Sequence, residues 1–308
     1  MAEPDLSAAL AEALPELRRL QRKVWVWIAG LAAGGWTLIW LLTEELTRFS
    51  IGVPVVVVLF ITFIGSASHW LRLKREAALL PAVASAFGLA HKKKDPEFIA
   101  DIPDQVLPQQ GHLREIDDVF AGEWAGHALR FAEMQAARLK EISPTNASTT
   151  VFRGLVIDLS LSEPSPPLLV ADKHHVAQGQ GKGEGISTGG MTLRESHDHL
   201  RAEYGLWAIG QEREGARRAF LRRIVELGPE IFDRRAFLVA ALLRDQRLWV
   251  SLSYRRNLFR ASGLFAGRKR MMEDLRQTSE EIGLVLRFAT EALKAERGLS
   301  GPALQGVY

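Results

Sequence analysis

Two long apolar runs stand out near the start of the chain, separated by a short polar segment. The first covers residues 24–42 and holds no charged residue; the second covers residues 51–71, where His69 is the one ionisable side chain. As α-helices, these runs would be roughly 28 and 32 Å long at about 1.5 Å per residue. That matches a hydrocarbon core of about 30 Å, so the pattern predicts a two-helix transmembrane hairpin with residues 43–50 at its tip.

Basic residues flank the two runs and predict their orientation. The segment between the runs holds only Arg48 as a basic residue. Because lysine and arginine accumulate on the cytoplasmic side, the N-terminus and everything after the second run are predicted to lie in the cytoplasm. The same cations would face anionic lipid head groups. They are Arg18, Arg19, Arg22 and Lys23 before the first run, and Arg72, Lys74 and Arg75 after the second.

Small residues in the first run predict a helix–helix contact. Gly30 and Gly34 form a GxxxG pattern, which lets two helices approach closely. Packing inside the hairpin and dimerisation both fit the pattern, and packing inside the hairpin is the favoured interpretation.

The pattern also predicts how the chain is divided around the hairpin. Leucines at helical spacing, interrupted at Pro15, predict a short amphipathic helix before the first run, and Gly88 predicts the end of the second helix. Three prolines follow within residues 92–111, which predicts a linker. The predicted parts are an N-terminal cytoplasmic segment (1–23), the hairpin (24–71), a juxtamembrane helix and linker (72–110), a cytoplasmic domain (111–296) with a flexible loop (174–192), and a tail (297–308).

Strand patterns dominate the cytoplasmic domain. A turn at Ala125-Gly126 separates two strands, residues 150–161 alternate between apolar and polar positions, and a second hairpin is predicted between residues 236–243 and 247–254. Helices are predicted at about 214–227, ending at Gly228-Pro229, and at about 272–296. Strands that mix with helices without strict alternation predict an α+β fold with a mostly antiparallel sheet and flanking helices.

Several of these segments resemble a bacterial membrane-protein family known as domain of unknown function 3137. The resemblance covers roughly residues 20–260 and is carried by "GEWAGHALRFAE", "VFRGLVIDLSL" and "RLWVSLSYRRNLF" after the hairpin. It implies a location in the bacterial cytoplasmic (inner) membrane and a possible partner of the LemA type, and it implies no catalytic residue. The chain departs from the family pattern at His197-Asp198-His199-Leu200.

Four histidines form the candidate metal site. In an extended segment His197 and His199 would point to the same side, and His174 or His175 could supply a third nitrogen ligand for zinc. The spacing matches no standard zinc motif, so solvated loop histidines are the alternative. The glycines between these histidines lack the order of a phosphate-binding P-loop and favour a flexible loop.

Composition excludes some classes of function and does not identify one. The chain has no cysteine, which excludes disulfides and thiolate chemistry, and a net charge of +3, which does not argue for nucleic-acid binding. No motif predicts catalysis or a cofactor. The sequence therefore favours a membrane-anchored, non-enzymatic interaction or regulatory module that binds a protein partner or anionic lipid. The alternative is a membrane-tethered, metal-dependent enzyme that uses the four histidines.

Overall fold

The computed structural model describes residues 6–42, 53–107, 113–139, 148–173, 176, 187–199, 202–209, 215–232, 236–254, 258–259, 261 and 267–300. The chain divides into two compact units. The first comprises Met1–Phe87 and Phe259–Ser279, and the second comprises Gly88–Leu258 and Glu280–Tyr308.

Two long helices form most of the first unit. Helix α1 spans Leu6–Leu42 and helix α2 spans Val53–Ala86. The predicted interruption at Pro15 is wrong, because α1 continues through it. Proline removes one backbone hydrogen bond from a helix, and burial of the flanking Leu14 and Leu17 offsets that cost. Helix α2 ends as predicted, with Gly88 at a φ of +72° just after it.

One helix of the described part of the chain is long and apolar enough to cross a membrane. It is α2, over Pro54–Ala86. The predicted first crossing falls in α1, where the side chains at 38, 39, 41 and 42 lie outside the described residues, as does the predicted tip at 43–50. The structure thus provides one candidate membrane helix, and a clear pair of crossing helices is not established.

The second unit is built on a seven-stranded sheet. The strand order is β1-β2-β3-β4-β6-β5, with β7 also paired to β4, and every pair is antiparallel. This confirms the predicted α+β fold with a mostly antiparallel sheet and flanking helices. The remaining elements in chain order are β1 Leu89–Lys92, α3 Pro96–Asp101, a 3-10 turn Asp104–Val106, β2 Leu113–Trp124, β3 His127–Leu139, β4 Ser148–Asp172, β5 Thr192–His199, β6 Ala202–Ala208, α4 Gly215–Phe232, β7 Ala236–Tyr254 and α5 Arg268–Ser300.

The turn predicted at Ala125-Gly126 is confirmed. Both residues have positive φ angles, 53° and 84°, as a tight two-residue hairpin turn requires. Trp124 and His127 pair directly across it. The turn therefore sets the register of β2 on β3.

The second predicted hairpin is wrong, since residues 236–254 form one continuous strand. The polar triplet Arg244-Asp245-Gln246 lies at an irregularity in the β4–β7 pairing, where Asp245 has a φ of 56° and pairs with Ser165. Strand β4 is 25 residues long and pairs with β7 on both sides of this point. A long partner strand allows β7 to continue through a bulge instead of reversing.

The predicted linker is also folded. Asp95 caps α3 by accepting a hydrogen bond from the backbone N–H of Phe98 at 3.4 Å, and Pro96 occupies the first turn. Phe98, Ile102 and Val106 are buried in the core of the sheet unit. Those apolar residues explain why a proline-rich segment is ordered here.

Both later helices are longer than predicted. Helix α4 continues through Gly228-Pro229 to Phe232, and α5 extends from Arg268 to Ser300. Phe232 packs on Phe288 at 5.9 Å between ring centroids, so the added turn of α4 is buried against α5. Tertiary packing therefore overrides the local stop signal.

Candidate membrane-interface site

Helices α1 and α2 pack through one apolar face of each. Val24 and Ile28 of α1 and Leu71 of α2 are buried in a shared cluster. Partly buried residues surround it: Leu20, Phe60, Phe63, Ile64 and Ala67. This contact fixes which sides of the two helices face outward.

The four cations of α1 lie on its outward side. Arg18, Arg19, Arg22 and Lys23 are all exposed, and their spacing of three and four residues places them on one helical face, called the basic face here. No hydrogen bond or ion pair joins them to another residue of the described part of the chain. They line a groove of about 470 Å³ together with Pro15, Val26 and Trp27.

The cations of α2 have partners. Arg72 donates to the Nδ1 atom of His69 at 2.8 Å and lies 3.6 Å from the Glu76 carboxylate. The ammonium group of Lys74 lies over the Trp70 ring at 5.9 Å from its centroid. Intramolecular contacts thus compete with any head group for these two side chains.

Arg75 departs from its predicted role as a lipid-facing cation. Its exposed fraction is 0%, and its guanidinium donates to the Gln21 side chain of α1 at 3.3 Å. The carboxylate of Asp274 in α5 lies close enough to attract it. Buried charges require such partners, so Arg75 joins helices instead of facing lipid.

Contacts between α1 and α2 place their basic segments side by side, at the same level along the two helix axes. Gln21, between Arg19 and Arg22, bonds to Arg75, and Leu71 packs beside Val24. Beyond this level both helices expose large apolar side chains, among them Trp27 at 68%, Trp40 at 64% and Val58 at 62%. Exposed cations of both helices therefore border an apolar surface.

The predicted glycine contact is not found within the described chain. A Cβ atom on Gly30 or Gly34 would meet nothing within 4 Å, whereas one on Gly35 would lie 3.5 Å from Val56. Packing of Gly30 and Gly34 inside the hairpin therefore stays a prediction, without a contact among the described residues. Gly35 occupies the contact with α2.

The predicted metal ligands are only partly described. His197 is exposed on β5 opposite Tyr204; His199 is on the same strand, and its side chain lies outside the described residues. His174 and His175 also lie outside them. The described residues contain no group of three or more candidate ligands. Metal binding by these histidines stays a prediction.

Sequence reasoning missed two buried polar clusters in the sheet unit. In the first, Asp158 accepts hydrogen bonds from Arg130 at 2.9 Å and from Arg247 at 3.0 Å, and both guanidinium groups also lie near the Trp249 ring. Burial raises the pKa of Asp158, and the two arginines oppose that rise. Hydrogen-bonded ion clusters of this kind stabilise a sheet face. The Phe98 ring covers the Arg130 guanidinium, with 4.9 Å between the guanidinium carbon and the ring centroid.

The second cluster surrounds the bulge of β2 at Asp118, whose φ is 56°. Its carboxylate lies 3.0 Å from Nε2 of His91 and accepts from Lys93 at 3.1 Å. Nearby, Glu133 accepts from the backbone N–H of Leu258 at 2.9 Å. The residues are far apart in sequence, so no local pattern could reveal this cluster.

The comparisons with known proteins establish no family for this chain. No protein-family model matches it, and no curated protein matches it. Among solved structures it is similar to the crystal structure of the mycobacterial trehalose monomycolate transport factor A, TtfA, at 11% sequence identity and a TM-score of 0.32, over 68% of this chain and 94% of that chain. That similarity is too low to transfer a role. The resemblance to domain of unknown function 3137 stays a prediction.

Proposed function

We propose that this protein is a membrane-anchored, non-enzymatic interaction module of the bacterial cytoplasmic membrane. In this proposal α1 and α2 both cross the bilayer, and the N-terminus and the sheet unit lie in the cytoplasm. The sheet unit binds a partner in the same membrane, for which the sequence resemblance indicates a LemA-type protein.

The observation that carries the proposal is the apolar surface of the packed pair α1 and α2. Trp25, Trp27, Trp36 and Trp40 of α1 and Val55, Val57, Val58, Leu59 and Ile61 of α2 are at least 41% exposed. An apolar surface of this extent is unfavourable in water and favourable in lipid. Tryptophans at both ends of α1's apolar stretch fit the two interfacial regions of a bilayer.

The position of the cations supports the orientation. Arg18, Arg19, Arg22 and Lys23 lie just before the apolar surface of α1, and Arg72 and Lys74 follow that of α2 at the same level. Positive residues at one end of both helices favour a cytoplasmic location for that end.

Cysteine labelling tests this topology cleanly, because the natural chain contains no cysteine. Two isosteric variants form a matched pair: Ser50→Cys in the segment between the helices and Ser196→Cys, an exposed position of β5. In intact spheroplasts a membrane-impermeant maleimide should label Ser50→Cys, and Ser196→Cys should be labelled only after the membrane is opened. Crosslinking and mass spectrometry on the same membranes should recover a stoichiometric protein partner.

Labelling of both positions in intact spheroplasts, or of neither, would refute the hairpin topology. A correct labelling pattern without any crosslinked partner would retain the anchor and reject the interaction role.

A further inference from the structure

We propose that the basic face of α1 binds the head group of one phospholipid that carries two phosphates. This inference rests on the proposed membrane anchoring and names the ligand of that surface. The binding surface consists of the four cations of the basic face and the two apolar residues that follow it, Val26 and Trp27.

The basic face carries four positive charges that no described residue pairs with. Arg18, Arg19, Arg22 and Lys23 have no ion pair or hydrogen bond with any residue that the structure describes, unlike Arg72 on α2, which pairs with Glu76. Four neighbouring cations repel one another, and an anionic ligand relieves that repulsion. The nearest acid on this part of α1 is Glu16, at the margin of the face.

The four cations of the basic face are arranged as two pairs along α1. Arg18 and Arg19 form one pair of cations, and Arg22 and Lys23 form another pair four residues further on, about 6 Å along the axis. Guanidinium groups bind phosphate oxygens through directed, charge-assisted hydrogen bonds. Two pairs of cations therefore match two phosphates better than one phosphodiester, which carries a single negative charge.

Exposed apolar side chains lie next to the cations. Val26 and Trp27 are 72% and 68% exposed and share the groove of about 470 Å³ with the cations. They continue the same side of α1 into its apolar stretch. An acyl chain attached to the head group would cover them, whereas a soluble phosphate compound would leave them exposed.

The helix is also held in position for such a ligand. Leu17 and Ile28, on the opposite side of α1, are only 1% and 3% exposed. Their packing prevents rotation of the basic face away from the lipid. Little ordering of the backbone is then needed when the lipid binds.

The test is native mass spectrometry of the full-length protein in mild detergent with added cardiolipin, whose head group has two phosphates, or phosphatidylglycerol, which has one. The two lipids are compared at equal phosphate concentration and equal salt. The site variant Arg19→Gln/Arg22→Gln removes one cation from each pair. The matched control Arg276→Gln/Arg287→Gln removes two exposed cations from α5 and preserves good helix formers.

We expect wild type and control to bind one cardiolipin in preference to phosphatidylglycerol, and the site variant to bind it about tenfold more weakly or worse. Equal retention of the two lipids would overturn the two-phosphate assignment, and so would an absence of cardiolipin binding. Equal loss in site and control variants would overturn the location. These outcomes leave the Ser50→Cys and Ser196→Cys labelling unchanged, whereas failure of the membrane topology alters that labelling.

Discussion

Replacement of Glu133 by glutamine should make the sheet unit more stable at neutral and alkaline pH. Glu133 is on β3 and is 8% exposed. Burial raises its pKa to about 7, and the carboxylates of Asp118 and Asp117 on β2 add to the rise. Arg153 on β4, 3.6 Å away, and the N–H of Leu258 lower the pKa but do not compensate.

The size and sign of the effect follow from these pKa values. The rise from 4.5 to about 7 corresponds to about 3 kcal/mol, since one pKa unit is about 1.4 kcal/mol. Between these pH values the folded chain retains a proton that the unfolded chain has released, so the free energy of unfolding falls as pH rises. The protonated Glu133 makes its full contribution to the free energy of unfolding below pH 4.5, and this contribution is lost above about pH 7.

Glutamine keeps an oxygen that accepts the N–H of Leu258 and does not titrate. We therefore expect the Glu133→Gln variant to gain stability relative to wild type as pH rises from 4.5 to 8, by up to about 3 kcal/mol in the difference between the two curves. Urea unfolding of the full-length protein in detergent, followed by tryptophan fluorescence at several pH values, measures this difference.

The control is Glu123→Gln, an exposed glutamate of β2 whose carboxylate contacts water in both states. Its stability should follow the wild-type pH dependence. Wild-type and Glu133→Gln curves that stay parallel from pH 4.5 to 8 would refute the assignment of a buried, proton-retaining carboxyl group.

Two further substitutions test the packing of the sheet unit by the same unfolding assay. Gly154→Ala should destabilise the protein by about 3 kcal/mol, because a Cβ there would lie 1.8 Å from the backbone oxygen of Leu252, whereas Gly283→Ala in the open interior of α5 should stabilise it by about 1 kcal/mol; equal effects would contradict the close β4–β7 approach. Phe98→Ala should cost about 3–5 kcal/mol if the predicted linker belongs to the core, and Phe237→Ala, 38% exposed on β7, should cost less than about 1 kcal/mol. A small effect at Phe98 would restore the linker interpretation.

Local patterns predicted the elements whose ends depend on backbone geometry. The end of α2 before Gly88 and the turn at Ala125-Gly126 both require positive φ angles, which glycine adopts at little cost. The length and apolar character of α2 likewise depend on consecutive residues alone. Such features can be predicted from a sequence because the residues that determine them are close to one another along the chain.

Local patterns failed where distant strands and side chains decide the outcome. Arg244-Asp245-Gln246 has the composition of a turn, yet β7 continues because β4 pairs with it on both sides. The proline-rich segment after α2 has the composition of a linker, yet Phe98 is fully buried. Strand pairing and the burial of apolar side chains stabilise the fold by more than the local preference for a turn or a linker destabilises it.

The basic residues show the same division at the candidate site. Their number and position beside the apolar runs follow from the sequence, and the sequence by itself determined that cations border a membrane-length helix. Only the tertiary structure decided which of them are available: Gln21 and the packing around it bury Arg75, Glu76 pairs with Arg72, and the cations of the basic face stay exposed. Charge is a property of each residue, whereas exposure depends on partners that folding brings from elsewhere in the chain.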